Sequence, residues 1–339
     1  MSLMIKGELR EDWLDSETED GAFVRKESQF RHWVTPDGSP GPTGEGDFAA
    51  EPGRYHLYVS YACPWAHRTL IVRQLKGLEK LISVSVVHPH MGPQGWAFPS
   101  SDPSFEPGAE AGDFPGATAD EVNGASHMYE LYRLAQPDYS GIVTVPVLWD
   151  KQRRTIVNNE SAEIIRMLNS AFDAWADTSV DLYPAGLREE IDAINETVYA
   201  DVNNGVYRTG FARTQTAYEH AFDRLFDALD ALDARLGKQR YLTGGRITEA
   251  DWRLFTTLVR FDAVYYLHFK CNLRRIADYP QLSNYLRELY QWPGIAQTVH
   301  LDHIKHHYYT SHPEINPTGI VPKGPALALE APHDRARLA

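Results

Sequence analysis

The chain has 339 residues, of which 43% are hydrophobic, 23% charged and 12% aromatic. That is the make-up of folded globular protein too long for one typical core, so two domains are expected. The net charge of −13 argues against nucleic acid, no apolar run approaches the roughly 18–20 residues of a membrane span, and two cysteines are too few for a secreted disulfide scaffold. With no signal-peptide pattern at the start, a reducing cytoplasm is the expected compartment.

Residues 1–50 are polar and broken by Pro and Gly, and read as an extended lead-in wrapped on the body. A β-rich run at 56–60 comes next, then Cys63-Pro64. Apolar spacing at Ala66, Leu70, Ile71 and Leu75 predicts a helix over 65–76, closed by Gly77. A second strand over 82–87 completes a β-α-β unit with a right-handed crossover. Residues 88–126, with Trp96 and Phe98 embedded, form a long loop of the kind that is usually functional. A helix over 128–134, strands over 144–149 and 155–157, and a helix opening at Asn159-Glu160-Ser161 complete the order β-α-β-α-β-β-α within 55–170. The rest is helical, over 187–202, 217–236, 248–267, 280–290 and 295–308. Thr248 and Asp251 supply a capping box for the third of these. Residues 316–339 read as a polar tail.

Cys63 carries the chemistry. It follows a strand and opens a helix, where unpaired N–H groups and the helix dipole favour an anion. Its thiol pKa should fall and the sulfur become nucleophilic. Pro64 fits the first helical turn, where its missing N–H is not needed. Ala66 stands where a C-x-x-C pair would have its second thiol, so an external thiol must resolve any disulfide on Cys63, and glutathione is the natural candidate. Val145-Pro146 suits a cis peptide that offers a backbone edge to an extended peptide ligand. Glu160-Ser161 at a helix start offers a second anion site. Cys271 has no such context and reads as packed and inert. His300, His303, His306 and His307 share a helical stretch. The spacing fits a metal face or, as preferred here, a solvated or pocket-lining helix with no metal. His67 and Arg68 stay open between an active-site role and the helix surface.

Cys63-Pro64-Trp65-Ala66-His67-Arg68, Thr144-Val145-Pro146-Val147-Leu148-Trp149, Asn159-Glu160-Ser161, Asn203-Asn204-Gly205-Val206-Tyr207 and Phe261-Asp262-Ala263-Val264-Tyr265 resemble the xi-class glutathione transferases, the glutathionyl-hydroquinone reductases. His268-Phe269-Lys270-Cys271 and the stretch from Asn316 to Pro322 extend the resemblance over nearly the whole chain. It implies an α/β plus all-α fold: a thioredoxin-like domain over 51–172 and an all-helical glutathione-transferase domain over 173–315. These follow the N-terminal segment 1–50 and precede the tail 316–339. It also implies a homodimer that takes a glutathionyl-hydroquinone and glutathione to a hydroquinone and glutathione disulfide. By the same resemblance Cys63 is the nucleophile, Tyr207 the proton donor, and Tyr265 and Tyr308 hold the thiolate, with Tyr309 able to replace Tyr308. Trp96, Glu160, Ser161 and the strand Ile142, Val143, Thr144, Val145 and Pro146 match the glutathione contacts. One position departs from the family, which usually carries Arg where this chain has Ile142. Two other readings stay open: an omega-type thiol transferase or dehydroascorbate reductase, and a non-catalytic glutathione-binding protein.

Overall fold

The structure, a computed structural model, describes residues 2–10, 18–99 and 114–338, so residues 100–113 of the expected 88–126 loop lie outside it. The chain forms two compact units. The first takes in Met1–Ser16, Lys26–Val180 and Asp302–Ser311; the second takes in Glu17–Arg25, Asp181–Leu301 and His312–Ala339. The units therefore depart from the linear ranges at both ends. Part of the lead-in joins the second unit, and a late helix joins the first.

In the first unit, β1 (Ser2–Ile5) and β2 (Glu8–Arg10) make an antiparallel pair. The lead-in thus contains strands where an extended wrap was expected. Its β1 segment is too short for its buried–exposed alternation to stand out in the sequence. The next pair, β3 (Thr18–Glu19) and β4 (Ala22–Phe23), belongs to the second unit. The main sheet starts with β5 (Tyr55–Val59), followed by α1 (Pro64–Leu75) and β6 (Ser83–Val86), which runs parallel to β5. The expected β-α-β unit is present. Gly77, with φ of +66°, takes the left-handed conformation just after α1 that favours glycine.

A short ribbon follows, β7 (Met91–Gly92) with β8 (Gly95–Trp96), then α2 (Met128–Ala135). Strand β9 (Gly141–Val143) pairs with β1, so the lead-in builds a second sheet in the order β2-β1-β9. Strands β10 (Val147–Asp150) and β11 (Thr155–Asn158) complete the main sheet in the order β11-β10-β5-β6. The expected strand over 144–149 starts only at Val147, just after the cis Val145–Pro146 peptide, since Pro146 has no N–H to give to a ladder. Helix α3 (Ser161–Ser170) packs against α1. Every residue of β5 is buried, the mark of a strand covered on both faces. Further along, the lead-in wraps the body as expected, with His32 N–H donating to the Val157 carbonyl at 3.0 Å and Asn159 N–H to the Phe30 carbonyl at 3.1 Å.

The second unit is helical apart from β3 and β4. Helix α4 (Arg188–Thr197) ends in a π turn over Val198–Asn203, so the expected helix over 187–202 is two pieces. Helix α5 (Gly205–Gly210), which the sequence pattern did not reveal, comes next, followed by α6 (Gln215–Leu236). Helix α7 (Glu249–Arg260) opens on the expected Thr248–Asp251 capping box and runs into a second π turn, Phe261–Tyr265. Helix α8 (Pro280–Tyr290) matches expectation. The expected helix over 295–308 splits into a single turn, Ala296–Thr298, and α9 (Leu301–Thr310), leaving His300 between them. From Asp302 onward α9 belongs to the first unit. The tail is docked rather than free. Arg335 is fully buried and donates to the Leu236 carbonyl at 2.6 Å and the Gln239 carbonyl at 2.8 Å. These carbonyls sit at and just beyond the end of α6, where a helix leaves acceptors unpaired and favours a cation.

Candidate active site

Cys63 caps the N-terminus of α1 with extended backbone, φ −74° and ψ 122°, and Pro64 takes the first helical position. The cysteine is half-buried. Its N–H donates to the Ser60 carbonyl at 3.1 Å and its carbonyl accepts from His67 N–H at 3.0 Å. Both bonds lock the strand-to-helix turn and leave the sulfur at the helix start. The thiol lies 3.4 Å from the Val145 carbonyl, toward which it donates. Ala66, one turn on, is fully buried. His67 and Arg68 are buried as well, which removes the helix-surface reading for both. The Arg68 guanidinium sits 4.5 Å over the Trp65 ring and donates to Ser161 Oγ at 3.3 Å.

Ile142 and Val143 form β9 and stand opposite Leu3 and Ser2 of β1, so their backbone serves that sheet. Thr144, Val145 and Pro146 follow as the turn beside Cys63. Thr144 is held by Tyr132, whose hydroxyl accepts from Thr144 N–H at 3.2 Å and lies 3.0 Å from the Thr144 carbonyl. Glu160 caps α3 through its own side chain, which accepts from Ala162 N–H at 3.0 Å and from Ser28 Oγ at 3.3 Å. Ser161 is buried at the first position of that helix.

Trp96 is buried and stacked on His307, with ring centroids 4.6 Å apart. The His307 ring also donates from Nδ1 to the Pro89 carbonyl at 2.9 Å, and His303 donates from Nε2 to the Pro115 carbonyl at 2.7 Å. Both histidines are buried, so α9 is not a solvated helix but clasps the loop after β6. Among the described residues no group of three or more His, Cys, Asp or Glu side chains is arranged to hold a metal ion. Tyr308 and Tyr309, on the same helix, are buried, and burial pushes the Tyr309 hydroxyl up to about 12.

In the second unit, Tyr207 on α5 and Tyr265 in the π turn after α7 come together, with ring centroids 6.1 Å apart. Phe269 stacks on Tyr265 at 5.6 Å and meets Tyr207 at 5.5 Å. Phe23 of β4 adds a third wall, and the Arg25 guanidinium lies 4.9 Å over the Tyr207 ring. Asn204 fixes that guanidinium by accepting from Arg25 Nε at 2.8 Å. Tyr265 is fully buried, whereas Tyr207 keeps partial exposure.

Known proteins resemble this chain along its length. The family descriptions "Glutathione S-transferase, N-terminal domain" and "Glutathione S-transferase, C-terminal domain" match residues 62–171 and 215–288. The chain is 55% identical to the glutathionyl-hydroquinone reductase YqjG of Escherichia coli (strain K12), over 99% of this chain and 98% of that protein. It is 53% identical to the glutathionyl-hydroquinone reductase PcpF of Sphingobium chlorophenolicum, over 97% and 98%. Among solved structures it resembles a xi-class transferase from Natrialba magadii with a TM-score of 0.90 at 50% identity, covering 100% of this chain and 98% of that one. The glutathione-bound structure of YqjG matches with a TM-score of 0.85 at 57% identity, covering 91% and 96%.

The chain belongs to the xi-class glutathione transferases.

For this xi-class chain, sequence motifs pointed to Cys63, Val145, Glu160 and Ser161, which the first unit gathers around the starts of α1 and α3. They gave no sign of Tyr132, His307 as the partner of Trp96, or Arg25 over Tyr207. Each of these acts through a partner distant in the chain and sits in no short motif. The xi-class helix α9 could have been linked to the loop after β6 only by its dense histidines, and these were read as solvated or pocket-lining.

Proposed function

We propose that the protein reduces glutathionyl-hydroquinones with glutathione, through a mixed disulfide on Cys63. The observation that carries this reading is Cys63 at the N-terminus of α1, half-buried, beside the Val145 carbonyl, with Ala66 in place of a second thiol. Backbone N–H groups at the helix start favour the thiolate. The thiolate attacks the sulfur of the glutathionyl group, a sulfur–sulfur bond forms, and the bond between sulfur and the aromatic carbon breaks. The released electron pair stays on the ring carbon, which takes a proton from Tyr207 and leaves as hydroquinone. A second glutathione gives up its thiol proton, which restores the Tyr207 phenol, and its thiolate attacks the glutathionyl sulfur, releasing glutathione disulfide and restoring the Cys63 thiolate. The ring carbon is reduced and the two glutathione sulfurs are oxidised, so atoms and electrons balance without a further reductant.

Tyr265 and Tyr308 hold the thiolate as phenol donors, which adds no charge. The turn of Thr144, Val145 and Pro146, which Ile142 and Val143 lead into, presents the backbone edge to glutathione, Glu160 and Ser161 meet its γ-glutamyl end, and Trp96 covers it. Ile142 brings no charge to this contact, so glutathione affinity bears the loss and the chemistry does not. The enzyme works as a homodimer in the cytoplasm. No helix among the described residues is long and apolar enough to cross a membrane.

Mixing the protein with a glutathionyl-hydroquinone and glutathione should release hydroquinone and glutathione disulfide in equal amounts, and no release overturns the reading. Cys63→Ala should lower turnover by about a thousandfold or more. Tyr207→Phe should slow hydroquinone release by about a hundredfold, the usual contribution of a general acid. Reduction of a small glutathione mixed disulfide, which needs no carbon protonation, should change little. Equal losses in both reactions would favour a general thiol transferase.

A further inference from the structure

Tyr132 takes no part in the chemistry above, yet its hydroxyl touches both halves of the glutathione site. A phenol offers one O–H donor and two acceptor lone pairs. Here all three are engaged. The oxygen accepts from Thr144 N–H at 3.2 Å and from Asn159 Nδ2 at 3.1 Å, and its O–H faces the Thr144 carbonyl at 3.0 Å and the Thr144 hydroxyl at 3.2 Å. The side chain is fully buried, and burial keeps the phenol in its neutral, donating form. Phe30 meets the ring edge-on at 5.8 Å and Tyr139 packs on it at 5.0 Å, so the hydroxyl has one aim.

Its two partners are placed to matter. Thr144 precedes Val145, whose carbonyl faces the Cys63 sulfur. Asn159 precedes Glu160, the cap of α3. The other end of the Asn159 amide accepts from Phe30 N–H at 3.2 Å, which fixes its orientation. One oxygen atom therefore spans from the cis turn to the helix start.

We propose that the Tyr132 hydroxyl is a positioning group for glutathione. It fixes the spacing between the backbone edge at Thr144–Pro146 and the N-terminus of α3, so that the cysteinyl and γ-glutamyl parts of the tripeptide meet their partners together. This rests on the reading of those segments as the glutathione site. A cradle set before binding leaves less to order on binding, and the effect falls on affinity.

Tyr132→Phe keeps the ring and removes the hydroxyl. The KM for glutathione should rise about tenfold, while kcat at saturating glutathione stays within about twofold, since no reacting atom is touched. A merely structural role would lower the melting temperature and leave KM alone. An unchanged KM in folded protein, or a kcat loss without a KM change, overturns the proposal. Asn159→Ala should raise KM severalfold alone and add less than its full factor on top of Tyr132→Phe, because both cut the same link. Fully multiplicative effects overturn it too. Should Tyr132→Phe fail to fold, Asn159→Ala alone decides, and an unchanged KM then sinks the idea. Glu160→Gln with Ser161→Ala tests the underlying reading: if that variant leaves KM unchanged, the glutathione site lies elsewhere. If it raises KM and Tyr132→Phe does not, only the role of Tyr132 falls.

Discussion

Cys63 and Cys271 show how far surroundings decide what one side chain does. Cys63 is half-buried at a helix start, while Cys271 is fully buried, its thiol facing the Phe269 carbonyl at 3.8 Å and the Val206 carbonyl at 4.0 Å. Burial pushes the Cys271 thiol well above the ordinary cysteine range, so at neutral pH it holds its proton and does not react. A chromogenic disulfide reagent should therefore titrate one thiol in the native enzyme and two in denaturant; two fast-reacting thiols in the native state would contradict this. At this scale legibility follows sequence distance. Cys63 could be read because its strand, helix and Pro64 are adjacent to it. Tyr132 could not, because its hydroxyl answers to residues 12 and 27 positions away, and nothing in the helix pattern around it marks a polar task. His67 and Arg68 stayed ambiguous for the same reason: a helical period tells which residues share a face, not how deep that face lies.

At the level of elements, α9 shows how imidazoles can act as a clasp. His303 and His307 hold the loop after β6 through carbonyls, and His90 meets Thr310 at 3.0 Å. His88 faces His306 across 6.0 Å, and Phe114 packs against His88, His303 and His306. Tyr61 also packs on His303, and Asp302 on the same helix is the nearby carboxylate. Burial, with His306 second, pushes His88 down to about 4, and burial pushes His303 down as well. Each of these groups binds its proton more readily in the unfolded chain. Stability therefore rises with pH from about 4 up to the ordinary histidine value near 6.5, and is lost as pH falls through that window. Over that whole window His88 alone accounts for a change on the order of 3 kcal/mol. Melting temperature should drop between pH 6.5 and 4.5, and His88→Gln should flatten the drop; a profile as steep in the variant would assign it to other groups. The sequence showed the helical spacing of these histidines but not their docking, since the carbonyls they grip lie 188 and 218 residues earlier.

On the scale of the whole molecule, the two-part composition and the β-α-β core were legible because hydrophobic period and helix caps are local signals. The contribution of the lead-in was not, since the β1–β2 pair joins a sheet through β9, far along the chain. That pairing ends one residue before Thr144. Deleting residues 2–10 should therefore loosen the cis turn and raise the glutathione KM severalfold while Cys63 remains reactive toward alkylating agents. An unchanged KM would show that Tyr132 suffices to hold the turn without the sheet.

The return of α9 to the first unit has a consequence for the order of events at the ribosome. The chain leaves that unit at Val180 and rejoins it at Asp302. At roughly 5–20 residues per second, synthesis of the intervening stretch of about 120 residues takes roughly 6–24 s. Throughout that interval His88 and Trp96 await a cover that does not yet exist. The half of the protein made first is thus finished last, and a stop codon late in the reading frame would damage the early half along with the late one.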